Sequence, residues 1–112
     1  IDAILGSIQK GDIGEHFPSS NKKYRNSSSK TLINQIIKKY NFRTKIILNL
    51  DITIICQHIR LTKYKDSIRK SISEILNCDI EKINIKAKTT DKVGIIGNSK
   101  AIACWVNLLV SI

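Results

Sequence analysis

Between residues 46 and 56 apolar side chains recur at every second position, and this change of period constrains the fold more than any other feature of the chain. Leu48, Leu50, Ile52 and Ile54 fall on one side of an extended segment and Asn49, Asp51 and Thr53 on the other, because successive side chains of a strand point to opposite faces. On both sides of this strand the period lengthens to that of a helix. Leu32, Ile33, Ile36, Ile37 and Tyr40 repeat at helical spacing behind Ser27, Ser28 and Ser29, whose hydroxyls suit an N-cap. Ile68, Ile72, Ile75 and Leu76 mark a second amphipathic helix, ending near Asn77 and Cys78 before a polar turn around Asp79. Upstream, Ile1, Ile4, Leu5 and Ile8 share one face of a helix over residues 1–10, with Gly11 as its stop.

Two further strands follow. Ile83, Ile85 and Ala87 alternate with Asn84, Lys86 and Lys88; beyond a loop at 94–97, Ile102, Cys104, Val106, Leu108 and Val110 alternate with Ala103, Trp105, Asn107 and Leu109. The order helix, strand, helix, strand, strand predicts an α/β fold, an α+β two-layer sandwich whose helices cover one face of a mixed sheet. The last strand is apolar on both sides, so its second face, with Trp105, is expected to be buried against another subunit. At 112 residues the chain forms a single domain, 1–112, that buries about two thirds of the surface of its unfolded state.

A formal charge of +10 raises a nucleic-acid role, since clustered cations release counterions from a phosphate backbone. Against it, the cations are spread along the chain, apart from Lys22, Lys23 and Arg25 and the segment from Arg60 to Lys70, and only 5% of residues are aromatic. No motif interleaves bases with stacking rings. The abundance of Ile, Asn and Lys matches AT-rich coding, so an anionic small substrate is favoured over nucleic acid. No apolar run reaches the roughly 18 to 20 residues of a membrane span. Ile1 to Leu5 has no basic leader region and no initiator methionine, so the expectation is that an upstream segment has been lost. Cys56, Cys78 and Cys104 are odd in number with no CxxC spacing, which predicts reduced thiols in a reducing compartment.

Three segments carry chemistry. In Gly11-Asp12-Ile13-Gly14-Glu15-His16-Phe17-Pro18 two glycines flank a carboxylate, so the backbone bends and exposes amides beside Asp12; a plain turn after a helix reads the same way. Cys56 to Leu61 leaves a strand end, where α/β sheets place ligands. The run from Lys86 to Gly94 leaves another, with Thr89, Thr90 and Asp91 among three lysines. Its hydroxyls and amides suit phosphate oxygens, and a carboxylate beside them suits a bridging divalent cation. A capped turn is the alternative. His16 and His58 each lack a partner at metal spacing and read as exposed or packed side chains.

In this order the segments resemble the 2-C-methyl-D-erythritol 2,4-cyclodiphosphate synthase family of the non-mevalonate isoprenoid pathway. The resemblance is carried by Asp2-Ala3-Ile4-Leu5-Gly6, Gly11-Asp12-Ile13-Gly14 with Phe17-Pro18, Asp51-Ile52-Thr53-Ile54-Ile55 with Gln57, Lys86-Ala87 with Thr89-Thr90, Gly94, Gly97 and Ile102-Ala103-Cys104. It implies a homotrimer with active sites between subunits, and a lyase reaction: 4-diphosphocytidyl-2-C-methyl-D-erythritol 2-phosphate closes to the cyclic diphosphate and expels CMP. It further implies that Asp12, Ile13 and Gly14 contact the methylerythritol part with Phe17 and Pro18 beside it. Cys56, Gln57, Arg60, Leu61 and Thr62 belong to the cytidine pocket, Thr89 steadies the transition state with Thr90 beside it, and Asp91 stands where a glutamate holds Mg2+ or Mn2+.

The family's Zn2+ ligands, an Asp-x-His pair and a further histidine, precede the first helix. The expectation is therefore a domain without its N-terminal strands and zinc segment, its site incomplete. Ser19, Ser20 and Asn21 replace an acidic run, Ile59 a proline, Arg60 a lysine and Lys88 a threonine, while Ile95 and Asn98 stand where an aromatic and an arginine line the trimer axis. A degenerate nucleotide-binding homologue is the alternative to an active enzyme. Composition and pathway together suggest a plastid-type, apicoplast-like organelle of an AT-rich eukaryote, with a bacterial cytoplasm as the other setting; neither a membrane nor a nucleic-acid partner is expected.

Overall fold

Strand β1 (Ile47–Ile55) lies at the centre of a three-stranded sheet, between β2 (Ile83–Lys88) and β3 (Ala103–Val110). A computed structural model of the chain describes residues 1–111, apart from the side chain of Lys45. β1 runs parallel to β2 and antiparallel to β3, which makes the sheet mixed. Parallel strands cannot be joined by a tight turn, and the crossover from β1 to β2 is made by α4 (Lys65–Leu76).

Leu50 and Ile52 sit in register with Ile83 and Ile85, which gives one continuous apolar face. Ile4 and Leu5 of α1 (Asp2–Ser7), Ile36 of α3 (Ser29–Lys39) and Leu76 of α4 pack with that face in one core cluster, together with Ile47 and Phe42. Helix α4 ends as its sequence suggests, with Asn77 left-handed (φ 46°) and the Cys78 amide returning to the Ser73 carbonyl, the geometry that absorbs orphan helix carbonyls. The opposite face of the sheet is polar at β2. There the Asp51 carboxylate accepts hydrogen bonds from Lys86 and, at 2.8 Å, from the Asn84 amide. These two bonds, Lys86 first, hold its carboxyl below the usual carboxylate range. Further across this face Trp105 is 67% exposed and Leu109 59%. No helix among the described residues is long and apolar enough to cross a membrane.

The structure corrects several local expectations. The alternation in β1 does not begin at Leu48: Ile47 is in the core and Leu48 is 50% exposed. The cause is a register shift between Ile47 and Asn49 opposite β3, since an extra residue in one strand turns the preceding side chains to the other face. The first helix stops at Ser7 rather than running to Lys10, because Gln9 adopts a left-handed φ of 56° and the Lys10 amide returns to the Leu5 carbonyl. Residues 94–97, expected as a loop, form a short helical turn, α5 (Gly94–Gly97). Ser28 is the N-cap of α3, but its side chain makes no capping bond. The shift in β1 separates two neighbouring residues: Ile47→Ala will lower the unfolding free energy by about 2–5 kcal/mol and Leu48→Ala by no more than about 0.5 kcal/mol, as read by urea denaturation.

Candidate active site

The parallel pairing ends at Ile55 opposite Lys88, and one further hydrogen bond, from the Cys56 amide to the Lys88 carbonyl at 2.9 Å, closes it. Beyond this point the two chains diverge. Residues 56–62 turn away into the 3-10 turn Leu61–Tyr64 that feeds α4, and residues 89–93 turn towards α5. Between them opens a cleft of about 360 Å3, lined by Gln57, Arg60, Leu61, Thr62, Lys88 and Thr89 among others. The Cys56 side chain is buried at its base, with Sγ 3.8 Å from Nδ1 of the exposed His58. The cleft rim is polar and carries the cations of Arg60 and Lys88.

The loop after β2 is ordered by its own side chains. The Thr89 hydroxyl lies 3.3 Å from the Asp91 carboxylate, to which it donates, and accepts from the Asp91 amide at the same distance. The Thr90 hydroxyl donates to the Val93 carbonyl at 2.7 Å. Asp91 is exposed and, among the described residues, forms no ion pair. A free carboxylate beside a hydroxyl suits Mg2+ or Mn2+, which keep waters and take substrate phosphates as ligands. Zinc is different: no group of three His, Cys, Asp or Glu among the described residues could hold a metal ion, so this chain's own residues do not fit a zinc site.

The second predicted group sits elsewhere. Asp12 is the N-cap of α2 (Ile13–His16), with Oδ1 accepting from the Glu15 amide at 3.1 Å, and Asp2 holds the next turn by accepting from the Ile13 amide at 2.8 Å. His16 is half-buried; its Nε2 donates to the Lys10 carbonyl (2.8 Å) and its Nδ1 accepts from Lys39 (3.3 Å), the only roles a carbonyl and an ammonium leave it. Phe17 stacks edge-on against Tyr24 at 5.0 Å and lines, with His16, Lys38 and Lys39, a larger cleft of about 440 Å3. Ile13 lines an apolar groove with Asp2, Ile33 and Ile72. Thus one chain unites Cys56, Gln57, Arg60, Leu61, Thr62 and Thr89, with Asp91 adjoining, while Ile13 and Phe17 each line other cavities and Gly14 and Pro18 stay exposed. The larger cleft is the less informative one, because it lacks an exposed carboxylate and the strand ends. Sequence reading missed Asp2 as the anchor of the Ile13 turn and Gln57 as a partner of Lys92, whose amide donates to its Oε1 at 3.0 Å. An acid at helix start followed by Gly-Asp nine residues on was the available signal for the first; the second carried none.

A mixed sheet whose parallel strand ends open into a cation-rimmed cleft, with hydroxyls and a carboxylate at its edge, defines an α/β protein with a cleft whose chemistry suits an anionic ligand. The chain belongs to the YgbB family, whose sequence profile matches residues 1–111. It is 50% identical over 105 residues to the "Bifunctional enzyme IspD/IspF" of Pelagibacter ubique, covering 94% of this chain and 28% of that protein. It is 42% identical over 103 residues to the 2-C-methyl-D-erythritol 2,4-cyclodiphosphate synthase of Haemophilus influenzae, covering 92% of this chain and 65% of that one. Among solved structures it superposes on a CDP complex of Plasmodium falciparum IspF with a TM-score of 0.75 and 35% identity, covering 96% of this chain and 64% of the other. The chain therefore spans less than two thirds of the length of these relatives.

The bend that begins the Asp12 segment depends on Gly11, at φ 70°. A Cβ there would meet the Glu15 carboxylate, a mobile end that swings aside, so the cost of Gly11→Ala is the left-handed backbone, about 1–2 kcal/mol. Equilibrium denaturation will show that loss, with Gly11→Asn recovering most of it because Asn tolerates this region.

Proposed function

We propose that this chain carries the cytidine- and phosphate-handling part of a 2-C-methyl-D-erythritol 2,4-cyclodiphosphate synthase. The observation that carries the reading is Thr89, with Asp91 beside it, at the rim of a cation-edged cleft between parallel strand ends. In the proposed reaction an oxygen of the substrate's 2-phosphate attacks the β-phosphorus, the bond from that phosphorus to the oxygen shared with the cytidylate breaks, and CMP departs with that oxygen. No side-chain nucleophile is required. The protein's work is to hold attacking and leaving oxygens in line and to offset their charge.

The residues present suit those tasks. The backbone of residues 56–62 faces the cytidine, Arg60 and Lys88 supply positive charge, and the Thr89 hydroxyl, rotating away from the Asp91 carboxylate, donates to a phosphate oxygen as charge builds on it. Asp91 would hold Mg2+ or Mn2+, which supplies Lewis-acid neutralisation of the diphosphate when bound. No step is assigned to zinc. Asp12, Ile13 and Gly14 take the methylerythritol part, with Phe17 and Pro18 beside it, and they belong to the neighbouring subunit's side of the site. That division accords with the cavities that Ile13 and Phe17 line, which are separate from the Thr89 cleft in one chain. The proposed assembly is a homotrimer of two-layer subunits, with the Trp105 and Leu109 face turned inward; an uncovered apolar strand face of this kind favours burial between copies.

Full-length protein supplied with zinc and with magnesium or manganese is expected to release CMP and cyclic diphosphate. Thr89→Ala will lower kcat by about 10²–10³-fold, and Asp91→Ala will raise the magnesium needed for half-maximal rate while leaving CMP affinity intact. Wild-type protein that binds CMP yet releases none with either metal would overturn the enzymatic reading. Light scattering will report a trimer, and Trp105→Glu will convert it to smaller species with loss of most of the activity.

A further inference from the structure

We propose that Gln57 is a positioning residue of the reaction, acting through the Asp91–Lys92 turn rather than by touching substrate with its side chain; this rests on the synthase reading. The Lys92 amide donates to Gln57 Oε1 at 3.0 Å, across 35 residues of sequence. This bond reaches the least relaxed part of the chain. Asp91 and Lys92 are consecutive left-handed residues, at φ 52° and 65°, and neither is glycine. Side chains disfavour that conformation, Asp less than Lys, so the turn persists only where its surroundings hold it.

Two contacts hold it from different sides. Gln57 takes the Lys92 N–H, and Gly97, buried in α5, packs against the rest of the same residue too closely for a Cβ on Gly97 to fit beside the Lys92 carbonyl carbon. Lys92 is thereby clamped between the loop that lines the cytidine side of the cleft and the helical turn beyond it. Inside the loop Thr90 and Val93 close the turn, but the two Thr89–Asp91 bonds, at 3.3 Å each, are long and restrain that pair weakly. The clamp therefore sets where the hydroxyl and the carboxylate stand relative to the strand ends. It also couples the two sides of the cleft: the segment that receives the nucleotide and the segment that carries the reacting groups share one hydrogen bond.

A strut of this kind has a distinct signature. In full-length protein with its metals, Gln57→Leu keeps side-chain bulk but removes the acceptor. The Lys92 amide is expected to exchange about tenfold faster or more, and kcat to fall by about 10- to 100-fold, the order of cost of a displacement near 1 Å. KM and CMP affinity stay within about twofold, because the backbone of residues 56–62 is intact. Gln57→Glu retains an acceptor oxygen and is expected to keep Lys92 protected, and Gly97→Ala, pressing on Lys92 from the other side, will reproduce the loss of kcat. Unchanged Lys92 exchange in Gln57→Leu, or a loss of CMP affinity with kcat preserved, overturns the inference in favour of direct side-chain contact with substrate. Inactive wild-type protein overturns the synthase reading instead, and the exchange of Lys92 still decides whether the strut exists.

Discussion

The parallel pairing of β1 with β2 is the constraint on which the rest of the molecule depends. It places the ends of two strands side by side, Ile55 against Lys88, and so brings segments more than thirty residues apart to the mouth of one cleft. It also demands a crossover helix, and α4 meets that demand by burying Leu76 on the face built from Leu50, Ile52, Ile83 and Ile85. The apolar side of the sheet and the position of the cleft are thus consequences of one arrangement. The site lies where the hydrogen-bonded ladder stops and backbone amides and carbonyls lose their strand partners, the usual place for ligands in open α/β sheets.

The central strand is held differently on its two faces. Towards the helices it is sealed by aliphatic packing; towards the open side Asp51 draws Lys86 and Asn84 into a polar patch beside β2, while β3 presents Trp105 and Leu109. An exposed pair of this kind contributes little stability. Its effect is on partner choice, since a charged, hydrogen-bonded strip next to an apolar one gives that face a register for association. On the proposed trimeric reading, the strip beside the apolar pair restricts how subunits can rotate against one another.

Much of this was legible in the sequence because burial writes itself as periodicity. Ile83 and Ile85 alternate with polar residues and are buried, as their spacing requires, and α3 and α4 follow their apolar stripes. What stayed illegible depends on geometry that periodicity does not encode. The register shift before Asn49 inverts Ile47 and Leu48, two residues of nearly equal hydrophobicity, so no pattern distinguishes them. Helices α2 and α5 are four residues each, too short for a period of 3.6 to declare itself. Asp12 is legible both as a cap and as a ligand group, and its bond to Glu15 uses one carboxylate oxygen, which leaves the other free for a second role. Gln57 and Lys92 join through a single hydrogen bond across the fold, a contact that neither residue's type announces.

The substitution pattern of the site sharpens the importance of that last contact. The resemblance puts a longer acid where this chain has Asp91, so the carboxylate reaches one methylene less far. A flexible loop would compensate by drifting towards the metal, at an entropic cost in every turnover. A clamped loop does not drift. With Asp91 and Lys92 both left-handed, Thr90 bonded to Val93 and Gly97 against the Lys92 backbone, the backbone beneath the shorter side chain has little room to move. Steric exclusion at Gly97 and one acceptor at Gln57 each remove a direction in which the Lys92 peptide is free to move. On the proposed synthase reading, the reach of the shortened acid therefore depends on where that turn holds it.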